Sequence, residues 1–153
     1  MDGDLRRAAV VSLAALGRSD DWHDRADAGH SLAGFAETQE AVGPLLELVL
    51  DPGDTYVTLR TAEGLLRRKD RAGLAIVASA LAVADDNHAD WIHTAVVNAF
   101  GIFAEDLDEA LRLCEEMSDD ADDRVARGAR RLRASLAGID PVLRPPSRDD
   151  RRP

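Results

Sequence analysis

Four short acidic turns recur along this 153-residue chain at one interval, and that interval leaves few folds open. Asp51-Pro52-Gly53-Asp54, Asp85-Asp86-Asn87-His88 and Asp119-Asp120-Ala121-Asp122 begin at steps of 34 residues, and Asp20 stands 34 before Asp54. A bulky apolar residue follows each turn: Trp22, Tyr56, Trp91 and Val125, at steps of 34, 35 and 34. Two kinds of residue sharing one period indicate a repeated supersecondary unit. Such units bury their apolar faces by stacking on one another.

Each period is long enough for two helices. Helical spacing predicts eight, over about 4–16, 20–36, 38–50, 54–68, 70–84, 87–103, 106–117 and 121–137. Leu45, Leu48 and Val49 form an apolar stripe in the third; Leu74, Val77, Ala78 and Leu81 do so in the fifth; Leu107, Leu111 and Cys114 do so in the seventh. Leu5, Ala9, Ser12, Leu13 and Leu16 predict an amphipathic first helix. Asp20, Thr38, Asp54 and Asp106 stand where a side-chain oxygen would satisfy the first free backbone N–H groups. Pro52 falls in a turn, whereas Pro44 starts or kinks the third segment. No strand-like alternation competes. The reading is an all-α superhelix of four helical hairpins, at about 4–36, 38–68, 70–103 and 106–137, within one domain over 1–137. Residues 138–153, with four of the six prolines, read as a flexible tail.

Paired helices with this period, opened by an Asp-containing turn, an apolar residue, an Arg and then Ala and Leu along the second helix, resemble the HEAT-repeat family and its PBS-lyase-type relatives. The matching stretches are Asp54-Thr55-Tyr56-Val57-Thr58-Leu59-Arg60-Thr61-Ala62 through Leu66, and Asp122-Asp123-Arg124-Val125-Ala126-Arg127-Gly128-Ala129 through Leu132. The first repeat carries Arg25, Ala28 and Leu32; the third departs, with Thr94 and Ala95 where an Arg is expected. The resemblance spans roughly residues 4–137 and implies a solenoid whose second helices line a concave binding surface. The Trp, Gly, Tyr and Pro pattern of tetratricopeptide repeats is missing.

Composition narrows the chemistry. Aromatic residues make up 4% of a chain that is 45% hydrophobic, so its core is built mainly from Ala, Leu and Val. The formal charge of −10 disfavours general nucleic-acid binding and predicts a partner with a basic surface. Every basic side chain but Lys69 is Arg. The single cysteine, Cys114, leaves no internal disulfide and fits a cytoplasmic setting. Arg6-Arg7 before the apolar Ala8–Gly17 imitate a secretion leader, but Asp2 and Asp4 acidify it and no clean cleavage site follows. No run approaches the roughly 20 apolar residues of a membrane span.

Three constellations invite a functional reading. On one helix, His23, Asp27 and His30 would share a face with Asp20, an imidazole–carboxylate set suited to a divalent metal. Against that, His23 and His30 are about 10 Å apart along the axis, too far for one ion. The stronger reading has Asp20 capping the helix while Asp21 and Asp24 complement its dipole. Trp22, Tyr56 and Trp91 would form an aromatic rail across stacked repeats. The expectation is nevertheless burial of each ring within its own repeat, because Val125 fills the fourth position. Arg124, Arg127, Arg130, Arg131 and Arg133 make the last helix basic. Asp120–Arg124 and Asp123–Arg127 at i, i+4 point to a self-paired terminal helix rather than a phosphate-binding patch.

No glycine-rich phosphate loop, nucleophile elbow or Cys-x-x-Cys is present, and Cys114 lies on an apolar stripe. No cofactor and no catalytic residue are expected. The sequence thus predicts a non-catalytic protein-binding module, its contacts drawn from His23, Asp27, His30, Thr58, Thr61, His93, Arg127 and Arg130. Nucleic-acid binding through the arginine-rich last helix is the alternative, and a lyase-like role is implied only by the PBS resemblance.

Overall fold

The structure is a computed structural model and describes residues 2–145. Among these the chain forms eight α-helices: α1 (Gly3–Leu16), α2 (Trp22–Leu32), α3 (Gln39–Val49), α4 (Thr55–Leu66), α5 (Arg71–Leu81), α6 (Asp86–Phe100), α7 (Ala104–Met117) and α8 (Asp123–Ala137). A single 3₁₀ turn, Ala33–Phe35, extends α2. The architecture is all-α, as the periodicity predicts, and it is compatible with a helical repeat.

Local chemistry sets the boundaries. The carboxylates of Asp21, Asp54, Asp70, Asp85 and Asp122 each accept a backbone N–H in the first turn of α2, α4, α5, α6 and α8. The cap of α2 is therefore Asp21, not Asp20. Helix α7 begins at Ala104 behind Phe103, so Asp106 lies inside its first turn. Thr38 holds the N-cap position of α3 without a capping bond; its hydroxyl accepts from Arg6 Nε instead, at 3.3 Å. Pro44 sits within α3, where it donates no backbone bond to the turn before it.

Helices α2, α4 and α6 lie side by side and run in the same direction. Trp22 meets Tyr56 near the start of α2 and α4, and Gly29 meets Thr61 further along. Glu63 and Asn98 join α4 to α6 at 2.8 Å. The close approach of α2 to α4 depends on Gly29, whose missing Cβ leaves the space that the Thr61 side chain fills. Ala28, Ala62, Ala95 and Ala129, at steps of 34, 33 and 34, are all fully buried. Small side chains recurring at the contact let α-helices pack closely around a core that has few aromatic groups. Leu32, Leu45, Leu65, Leu66, Ile92 and Phe100 fill the space between, each contributing about 1.5–3 kcal/mol by leaving water.

Helices α1, α3 and α5 form a second row behind the first. Arg68, in the turn after α4, ties that turn to the segment that follows α2. It donates to the Ala33 carbonyl at 3.1 Å and to Glu37 at 2.7 Å. The fourth repeat breaks the pattern, because α8 packs most extensively along α5 and only marginally against α6. Arg71 pairs with Asp120, Gly128 sits on the Ala78 backbone, and Arg131 donates to the Leu81 carbonyl. These contacts advance together along both helices, so α5 and α8 are parallel neighbours. The last helix thus leaves the row of α2, α4 and α6.

Two further expectations change. Leu5 and Leu16 of the predicted α1 stripe face outward, and Val10 supplies the buried contact. The segment after α8 is anchored for part of its length. Val142 and Leu143 donate backbone N–H groups to Gly101 and Ile102 carbonyls at 3.1 and 2.7 Å, and Ala104 donates to Leu143 at 2.9 Å. Pro141 is buried beside them. The rest of the expected tail, residues 146–153, lies outside the described residues. No helix among the described residues is long and apolar enough to cross a membrane.

Candidate functional site

The first turns of α2, α4 and α6 bring the acidic repeats of the sequence onto one end of the row. Capping fixes the backbone there: Asp21 accepts from His23, Asp54 from Tyr56 and Asp85 from His88, each at 2.8 Å. Trp22 and Tyr56, the first and second residues of α2 and α4, project from this end of the row, and Trp91 stands a little over one turn into α6. Trp22, Tyr56 and Trp91 are 39%, 44% and 36% exposed. This overturns their expected burial. Val125, which motivated that expectation, is partly buried on α8, outside the row, so it is no guide to the other three. Trp22 and Tyr56 meet edge to face, with centroids 5.4 Å apart and planes at 88°, and His23 stacks on Trp22 at 3.4 Å.

A buried ion pair holds the turns beneath these rings. Arg25 Nε and Nη2 donate to the two carboxylate oxygens of Asp51 at 2.9 and 3.2 Å, and Nη1 donates to the Ser19 and Asp20 carbonyls at 3.0 and 3.1 Å. Asp51 also accepts the backbone N–H groups of Gly53 and Asp54. Its carboxylate is therefore fully bonded, as a charge this buried requires. His88 extends the link to the third repeat: Nε2 lies 2.8 Å from the Asp51 carbonyl and Nδ1 lies 2.8 Å from Asp85 Oδ1. Two acceptors flanking one imidazole favour its protonated form. The Asp51 carbonyl leads in raising the His88 pKa above its ordinary value and Asp85 adds to it, against the opposing effect of burial. The Asp21 carboxyl is held below the usual carboxylate range, first by the His23 backbone N–H.

The residues singled out from sequence separate into groups. His23 and Asp27 are exposed on α2 beside the aromatic end, and His23 Nδ1 lies 3.2 Å from Asp21. His30 is half-buried, with Nδ1 enclosed and without a partner. Among the described residues, no three His, Cys, Asp or Glu side chains are placed to hold a metal ion. Thr58 and Thr61 are fully buried in α4 and their hydroxyls have no partner, so neither is available to a partner molecule. His93 is exposed on α6 and bonds Ser135 of α8 at 2.7 Å. Arg127 pairs with Asp123 at 2.7 Å, and Arg130 donates to the Ser118 carbonyl at 2.9 Å. Arg127, Arg130 and Arg131 are thus engaged within the fold, on a helix that has left the row, whereas the expected Asp120–Arg124 pair gives way to Asp120–Arg71.

Neither Asp51 nor His88, which with His93 flanks Trp91 in the sequence, was among the expected contacts. Asp51 served only as a turn marker, although its place 26 residues after Arg25 and 37 before His88 lets one turn bridge three repeats. Cys114 is fully buried, and burial pushes its thiol up to about 12, away from nucleophilic character. The site offers exposed rings, carboxylates and an imidazole on a rigid support, which suits binding. The chain matches no protein-family model, no curated protein and no solved structure.

Proposed function

We propose that this chain is a HEAT-like, non-catalytic protein-interaction module that binds its partner at the aromatic end of α2, α4 and α6. The observation that carries the reading is the exposure of Trp22, Tyr56 and Trp91 on adjacent parallel helices, in a chain with so few aromatic residues. Large rings held rigidly at a surface yield much contact area at small entropic cost, which is why Trp and Tyr dominate binding hot spots. Asp20, Asp21, Asp27 and Asp90 are exposed on the same helices and turns, so the complementary partner surface is basic. Its association weakens as salt rises. The cytoplasm is the proposed compartment.

The test is a pull-down from native cell lysate with and without nuclease, run in parallel for three proteins. These are the wild type, Trp22→Ala with Tyr56→Ala, and Arg127→Ala with Arg130→Ala. The reading requires a nuclease-resistant protein partner, eluted by salt, that is lost with the aromatic pair and kept with the arginine pair. Recovery of nucleic acid that depends on Arg127 and Arg130 would replace it with nucleic-acid binding through α8.

A further inference from the structure

Helix α1 ends the stack, and its outer face is apolar. Leu5, Val11 and Leu16 are 64%, 63% and 39% exposed, and Ala8, Ser12 and Ala15 are exposed among them. At 100° per residue these six positions fall within about 140° of arc, one continuous stripe along most of the 14-residue helix. An apolar stripe of this length exposed on a helix face calls for a surface that covers it.

The charges at the two ends of the stripe identify what fits it. Asp4 lies at the start, with no closer cation among the described residues than Arg7 at 4.0 Å. Arg18 lies just past the end, carried on by Gly17 in a helical conformation. Asp4, Val11 and Arg18 are spaced by seven, so they lie along one edge of the stripe. We infer that α1 pairs antiparallel with α1 of a second copy of this chain about a two-fold axis at Val11. In that register Val11 meets its own copy, Leu5 faces Leu16, Ala8 faces Ala15, and Asp4 faces Arg18 at both ends. A parallel pairing would instead bring the two acidic starts to one end and the two basic ends to the other, with no Asp4 facing an Arg18. The surface is therefore complementary to itself in one orientation, as an isologous interface must be. One helix face provides less than the roughly 800 Å² per partner of a long-lived complex, so the dimer is weak and concentration-dependent.

Sedimentation velocity over a concentration series tests this, and it is independent of any partner at the aromatic end. The wild type shifts from monomer to dimer with rising concentration. Val11→Glu, which places like charges together on the axis at an already exposed position, abolishes the shift while helicity and melting temperature stay unchanged. Asp4→Arg and Arg18→Asp each weaken self-association by about tenfold or more. An equimolar mixture of those two variants dimerises as the wild type does, because each Arg then faces an Asp. A wild type that stays monomeric, a dimer that survives Val11→Glu, or a mixture that fails to recover would each overturn the inference.

Discussion

Thr58 shows how a polar residue can sit in a core and be misplaced by reading its chemistry alone. A threonine early in a solvent-facing helix is an ordinary binding group, and its side chain suggested nothing else. Its register says otherwise: Ile92, 34 residues on, is equally buried. The hydroxyl of Thr58 has no hydrogen-bond partner, so it carries a desolvation cost with nothing to offset it. Thr58→Val keeps the shape and removes that cost. It should raise stability by about 1 kcal/mol, near 3 °C in melting temperature for a chain of this size. A residue on a binding surface would show no such gain, and a drop in melting temperature would mean that the hydroxyl is bonded after all. Arg25 predicts the opposite. Arg25→Ala leaves the Asp51 carboxylate buried with only its backbone donors, and should cost about 3 kcal/mol by urea denaturation.

For the helices themselves, the sequence was informative wherever a signal is local. Asp54 caps α4 as predicted, and the boundaries of all eight helices fall within a few residues of the periodicity reading, because carboxylate caps and apolar spacing act over one or two turns. Legibility ends where a helix chooses between neighbours of equal apolarity. Nothing in the α8 stripe says whether it continues the row of α6 or settles on α5. The deciding residue is Gly128, where a Cβ would overlap the Ala78 backbone carbonyl. Only a glycine permits that approach, and its significance is invisible until the partner helix is known. The aromatic residues were misread for a related reason. The repeat aligned them with Val125, but alignment conveys burial only if the fourth helix occupies an equivalent place. Gly128→Ala tests the arrangement. With backbone on the other side the clash cannot be relieved by a rotamer change, and the loss should reach about 3 kcal/mol. If α8 instead continued the row, Ala at this position would be neutral or slightly stabilising through helix propensity.

At the level of the whole molecule, the turns that join the repeats make stability depend on pH in two opposite senses. The Asp21 and Asp85 carboxyls are held below the usual range, chiefly by the backbone N–H groups of His23 and His88. Asp70 is also lowered: burial, the largest single influence, raises it, but the Arg68 guanidinium and the Gly73 backbone N–H together lower it more. A carboxyl with a lowered folded-state pKa contributes stability that is complete above about pH 4, its unfolded value, and is lost as pH falls through the folded one. His88 behaves inversely. Its folded-state pKa is raised, so its contribution is complete below about pH 6.5 and disappears as pH climbs through the folded value. Deprotonation removes the donor that binds either Asp85 or the Asp51 carbonyl, and that carbonyl belongs to the turn linking three repeats. The formal charge of −10 adds self-repulsion in the same direction, since losing the His88 proton makes the chain more negative. Melting temperature should therefore be highest between about pH 4 and 6.5, declining below about pH 4 and again towards pH 8. His88→Gln keeps one hydrogen-bonding group and loses the titration. It should flatten the decline between about pH 6 and 8 while leaving the acid limb intact, and an unchanged alkaline limb would mean that His88 is not the group that titrates there.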